Sequence, residues 1–482
     1  MRALAFAGLG LFALAACTRA PAPAPRAIAT SCHADVQVAS RTPLVLDVEM
    51  ACKGRALPAF ASAEPRSVSH ISRVTDERGN TLRRAGQRFV FEEPRTDARV
   101  RYRVDVTAIA REAESFDVAL ESGQSVVAPV STWLMHPDPL TTDIPVTVDV
   151  HAPAQMKFET GLVRQGRSYT IEAHEIPVGT YAVFGKFDSE RLRVDEATID
   201  VAFADGRLDL DHATVSEWIT ASSRAVGTFW RKFPVPHVLV TVIPIPGRHG
   251  VLFGKVLPES APGIVVLLGE HVTRERLYDD WILVHELFHL GVPSFSGEGK
   301  WFDEGLATYF EPIIRARAGF RSEESVWQEF RRAMPLGLEA VSKKGLEQAE
   351  DFGEVYWGGA LLVLLADVEI RRATGGTRGL EDGLITVLDA GGHASEVWPL
   401  DKTLALSDEG CGVHALEPLA RKHARSAERV DLDALWKQLG VEGDAKHVRL
   451  NPSAPLAGVR QAILRGNVPA ERHASAHAAP QR

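Results

Sequence analysis

The chain carries four cysteines in 482 residues and no CxxC pair, so a zinc site built from thiolates is not supported. It has no run of basic residues, and its formal net charge is −9, which argues against nucleic acid as a partner. Beyond the N-terminus no stretch is both long enough and apolar enough to span a bilayer. The best candidate, GGALLVLLADVEI, is interrupted by Asp367 and Glu369. There is no internal repeat. A hydrophobic content of 45% and a charged content of 24% are ordinary for a globular protein, and the length suits two or three domains with real cores.

The N-terminus, MRALAFAGLGLFALAACTRA, has a short positive region at Arg2 and an apolar region from Ala3 to Ala16. This is the pattern of a signal peptide, residues 1–17, and it is set aside from the fold. Its end, LAAC, resembles a bacterial lipobox. The resemblance implies cleavage before Cys17, a lipid on Cys17, and a membrane anchor in the bacterial cell envelope, facing the periplasm or the surface. Residues 18–31 alternate Ala and Pro and form an extended spacer. Cys32 and Cys52 flank one short segment and are candidates for a disulfide in an oxidising compartment; Cys411 is left over as a buried thiol.

Residues 32–205 carry the period-two alternation of strands, as in RVRYRVDV (Arg99 to Val106) and PVTVDVHA (Pro145 to Ala152). They predict an antiparallel, β-sandwich-like N-terminal domain. From residue 206 to 392 helical periods take over. HATVSEWITASSRAVGTFWRKF reads as a helix capped by Thr214 or Ser216, followed by the strand-like HVLVTVIPIP and GIVVLLG. EVYWGGALLVLLADVEIRRATGG is an apolar helix closed by Gly375 and Gly376. Residues 393–466 read as a mixed, mainly helical segment that includes the capped helix DLDALWKQLG, and 467–482 as a disordered tail. The class is α+β multidomain: a β domain, then a mainly helical domain with a small sheet.

The chemistry concentrates in DDWILVHELFHLGVP, Asp279 to Pro293. Between Trp281 and Leu290 only His285, Glu286 and His289 are polar. Four residues apart on a helix, the two histidines lie about 40° apart on one face, and both imidazoles can point at one ion. Glu286 sits about 100° away, where it reaches a metal-bound water. This is the H-E-x-x-H arrangement. A helix apolar nearly all round is buried, and a buried unpaired glutamate is costly, so the three polar groups call for a common cation. Gly291 suits a left-handed C-terminal turn, and Pro293 stops the helix. A catalytic zinc takes three protein ligands and keeps one position open. KWFDEGLATYFE, Lys300 to Glu311, offers Glu304 as the third, with Asp303 and Glu311 as competitors or as partners for a histidine N–H.

HELFH followed by WFDEGLATYFE resembles the gluzincin metallopeptidases, most closely the glycyl-aminopeptidase family. VGTFWRKFPVPHVLVTVI and YWGGALLVLLADVEIRRATGGTRGLEDGLITVL are similar to that family's flanking segments, and the likeness runs over roughly residues 95 to 390. It implies a thermolysin-like catalytic domain, one zinc ion per chain on His285, His289 and Glu304, and Glu286 as general base. It also implies Tyr356 as hydrogen-bond donor to the oxyanion, and a peptide or protein substrate. Related aminopeptidases anchor the substrate's free amine with a glutamate in a Gly-rich motif. The corresponding stretch, RHGVLFGKVLP (Arg248 to Pro258), has glycines and no glutamate, which leaves aminopeptidase and endopeptidase both open. The alternative to catalysis is a peptidase-like lipoprotein that only binds a peptide or a protein.

Overall fold

In the strand Arg88–Asp105, Ala98, Val100, Tyr102 and Val104 turn inward and are buried. The arginines between them turn outward, where Arg103 meets Asp47 of the neighbouring strand at 2.7 Å and Arg99 meets Glu49. This alternation lets one face of a sheet be core and the other solvent. The structure is a computed structural model that describes residues 30–466, apart from 143, 259–260, 298 and 426–427. The signal peptide with Cys17, linker residues 18–29 and the tail 467–482 lie outside the described residues.

The N-terminal sheet runs Val163–Gln165, Ser168–Glu172, Pro145–His151, Ser31–Arg41, Leu44–Ser62, Arg88–Asp105, Ile71–Thr75. Its pairings are antiparallel as expected, with one correction. Ser31–Arg41 runs parallel to Pro145–His151, because the chain reaches that strand by a long excursion and not by a hairpin. Cys32 and Cys52 lie opposite each other in the Ser31–Arg41/Leu44–Ser62 pair and are disulfide-bonded.

A smaller four-stranded sheet, ordered Lys157–Thr160, Tyr181–Gly185, Ser125–Pro129, Leu120–Ser122, lies between two cores. Ala128, Ala182 and Phe184 join the core of the first sheet. Tyr181 and Val183, on the opposite face, join Leu239, Ile243 and Val265 of a third sheet.

That third sheet is ordered Asp188–Val194, Ala197–Phe203, His237–Ile245, Gly263–Gly269, Val251–Leu257. Its middle pairs are parallel, and its edge strand Val251–Leu257 is antiparallel to Gly263–Gly269. The change of period at residue 205 therefore falls inside this sheet. Alternation marks a strand but does not say which sheet it joins. The helix His212–Phe229 crosses over between the two parallel strands. Its cap is Asp211, which accepts from the Thr214 N–H at 2.7 Å, and neither Thr214 nor Ser216.

The helices of residues 282–389 and those of the C-terminal segment share one core, in which Phe288, Phe310, Leu361, Leu416 and Trp436 are all buried. Asp367 does not expose the apolar helix Gly358–Ala373 to water. It is fully buried and accepts from Tyr309, Arg371 and the Leu380 N–H. Cys411 is buried too, and burial pushes its thiol up to about 12. No described helix is long and apolar enough to cross a membrane.

Candidate metal centre and cleft

The helix Ile282–His289 buries every residue except Glu286, which faces a cleft. Its C-terminus corrects one expectation. Gly291 is not left-handed; a Cβ there would lie 2.3 Å from the Trp230 ring, so the glycine admits the indole.

Nε2 of His285 lies 3.2 Å from Oε2 of Glu304, and Nε2 of His289 lies 3.6 Å from the same oxygen. All three candidate ligand atoms fall within 4.8 Å of one another. Around a tetrahedral zinc with bonds near 2.0–2.1 Å, ligand atoms sit about 3.3 Å apart, so these residues fit the ion. The outer nitrogen of His289, Nδ1, donates to Asp303 at 2.8 Å, which turns Nε2 inward. Nδ1 of His285 is buried without a hydrogen-bond partner among the described residues.

The electrostatics also suit a cation. Burial works against the Glu304 carboxylate, but the hydrogen bonds and charge of the two histidines outweigh it and hold its pKa below the usual range. Burial likewise works against charge on His289, yet Asp303 and Glu304 raise its pKa well above the usual value.

Glu286 stands beside this group. Its Oε2 accepts from the Val256 N–H of the edge strand at 2.8 Å. The strand comes this close because residue 254 is glycine; a Cβ there would lie 2.4 Å from Ile282 and 3.0 Å from Glu286. Burial pushes the Glu286 pKa upward against the pull of both histidines. Among the described residues the outer edge of the strand pairs with no other strand, and it borders the cleft.

Tyr356 sits on a single π-helical turn, Gly353–Trp357, ahead of the helix Gly358–Ala373. Its ring stacks on His285 with centroids 5.8 Å apart, and burial together with the nearby Glu304 charge pushes its hydroxyl's pKa upward. Two glycines bring it there. A Cβ on Gly305 would lie 2.4 Å from the Gly359 backbone, and one on Gly359 would lie 1.9 Å from the Trp301 carbonyl. The helices carrying Glu304 and Tyr356 thus cross in backbone contact. Glu286, His289, Glu304 and Tyr356 line one cavity of about 350 Å³.

The remaining candidates separate. Asp303 is the histidine partner. Glu311 turns away and pairs with Arg315 at 2.8 Å in a buried site that pushes its carboxyl up to about 8. Asp117 and Lys255 line the same cleft, paired with each other. No signal within Asp117's own segment, far off in the β region, could have placed it there. Two other His-carboxylate groups are already engaged: Arg207 bridges Asp209 and Glu270, and Asp408 caps the N–H groups of residues 415–417. A second cavity of similar volume holds Asp200, which pairs with Arg191 at 2.7 Å and is hydrogen-bonded to His237 at 3.0 Å.

No protein-family model and no curated protein sequence matches the chain. Solved structures do. An aminopeptidase N family protein from Idiomarina loihiensis superposes with a TM-score of 0.66 at 14% identity, over 85% of this chain and 78% of that one. A two-domain M1 zinc metallopeptidase variant, solved with L-arginine bound, superposes with a TM-score of 0.51 at 14% identity, over 84% of this chain and 94% of that one. The chain therefore shares the mixed α/β fold of these two structures, several sheets and a helical core included.

Proposed function

We propose that this chain is a zinc metallopeptidase, held on a bacterial envelope membrane by a lipid on Cys17. The observation that carries the reading is the convergence of two imidazole Nε2 atoms and the Glu304 carboxylate beside Glu286. The likeness in fold to zinc metallopeptidases supports it.

Zinc held by His285, His289 and Glu304 would supply Lewis-acid polarisation of a water and of the scissile carbonyl. Glu286 takes the water's proton and hands it to the leaving amine. Burial raises its pKa, which makes the carboxylate a stronger base than an exposed glutamate. The Val256 N–H fixes one carboxylate oxygen and leaves the other for the proton. Tyr356, stacked on His285, donates a hydrogen bond to the carbonyl oxygen as that oxygen gains negative charge. The Cys32–Cys52 disulfide suits an oxidising compartment outside the cytoplasm, in keeping with the signal sequence.

Purified protein should hold about one zinc per chain and cleave members of a peptide library. Glu286→Gln should keep the zinc and lose the cleavage. Folded protein that takes up no zinc, or a Glu286→Gln variant as active as wild type, would overturn the reading. Cys17→Ala should move the protein from the membrane to the soluble fraction; retention in the membrane would sink the lipid anchor.

A further inference from the structure

Among the described residues, apart from the candidate zinc ligands and Glu286, four charged groups line the cleft: Asp117, Lys255, Lys300 and Asp303. Asp303 is committed to His289. Asp117 accepts a hydrogen bond from the Lys255 ammonium. Lys300 is exposed and makes no ion pair among the described residues. Among the described residues, both carboxylates outside the candidate zinc set that could meet a substrate's ammonium are therefore taken, and the charge left over is positive.

The pair is built into the fold. Phe253 and Lys255 are two apart on the edge strand, so they point to the same side. They meet two consecutive residues of the N-terminal domain. Phe116 packs on Phe253 with ring centroids 4.8 Å apart, and Asp117 takes Lys255. The turn that carries Phe116 and Asp117 is closed by Ser115 and Ala119. Asp117 lines the same cavity as Glu286, Glu304 and Tyr356. A free substrate amine arriving here would have to displace an ammonium tethered at high effective concentration, and would be repelled by it.

We propose that Lys255 determines the substrate class by withdrawing Asp117 from amine recognition. The cleft then takes internal peptide segments, or peptides with a blocked N-terminus, in preference to free N-termini. This rests on the peptidase reading above.

The test uses peptides of one sequence with a free or an acetylated N-terminus, and compares kcat/KM for the two forms. Wild type should cleave the acetylated form at least as fast. Lys255→Met frees Asp117 and should move the ratio toward the free amine by about two- to fivefold, the worth of one exposed ion pair. Lys255→Arg should keep the wild-type ratio, and Lys255→Met with Asp117→Asn should return to it. Zinc content and thermal melting check that each variant is folded. Wild type preferring free N-termini, or an unchanged ratio in Lys255→Met, would overturn the proposal while leaving the peptidase reading in place. Zinc-loaded wild type that cleaves neither form would bring down both.

Discussion

Asp303 accepts from Nδ1 of His289 at 2.8 Å, while its sequence neighbour Glu304 faces Nε2 of the same ring at 3.6 Å. Consecutive residues on a helix point about 100° apart, so one turn of helix addresses both edges of a single imidazole. Asp303 orients the ring, and in the proposed zinc site Glu304 would join it as a ligand. Asp303→Ala should weaken zinc binding by about 10–100-fold with the fold intact. Competition with a chelator of known affinity measures this, and an unchanged affinity would remove Asp303 from the metal's support.

The same contact sets a pH dependence. His289 has a raised pKa, and a metal takes the deprotonated ring, so binding expels a proton at every pH below that raised value. Zinc affinity should climb by up to about tenfold per pH unit and keep climbing above the ordinary histidine value of 6.5. Asp303→Asn should make the climb level off at lower pH. In the metal-free protein the raised His289 pKa contributes stability that is full below 6.5 and is lost as pH rises through the folded value. The depressed Glu304 pKa contributes stability that is present above 4.5 and is lost as pH falls through the folded value.

Glu286→Gln removes a proton acceptor and keeps the side chain's size. It should lower kcat by about 10²–10⁴-fold, with zinc content unchanged by metal analysis. A drop explained entirely by lost zinc would mean that Glu286 only supports the site.

Tyr356→Phe keeps the stack on His285 and removes the donor. It should lower kcat by about 10²-fold with KM nearly unchanged, the pattern of a hydrogen bond made only in the transition state. A rise in KM at constant kcat would assign Tyr356 to substrate binding.

Asp367→Ala leaves Arg371 buried with one carboxylate fewer and strands the Tyr309 hydroxyl. It should destabilise the fold by about 3–5 kcal/mol in urea unfolding. A loss under 1 kcal/mol would show that Glu381, which also meets Arg371 at 3.2 Å, carries the charge alone.

Much of the site was legible in the chain because its key relation is local. The spacing of His285 and His289 puts both rings on one helical face wherever that helix sits, and the apolar residues around them announce burial. The strands of residues 32–205 were legible for the same reason, since alternation is a property of neighbouring residues. Their partners were not. Ala197–Phe203 alternates like the strands before it, yet pairs with His237–Ile245 in the other sheet.

The sequence by itself determined a buried helix carrying two inward imidazoles and a carboxylate beside them, since these follow from 3.6 residues per turn. Tertiary structure decided which side chains complete it. Of the acids on the next helix, Glu304 faces the histidines, Asp303 goes behind one of them, and Glu311 goes to Arg315. Tyr356 arrives because Gly305 and Gly359 let two helices touch. Asp117 comes from the β-rich first part of the chain to occupy Lys255. These are distances between segments far apart in the chain, and close packing settles them where no local period can.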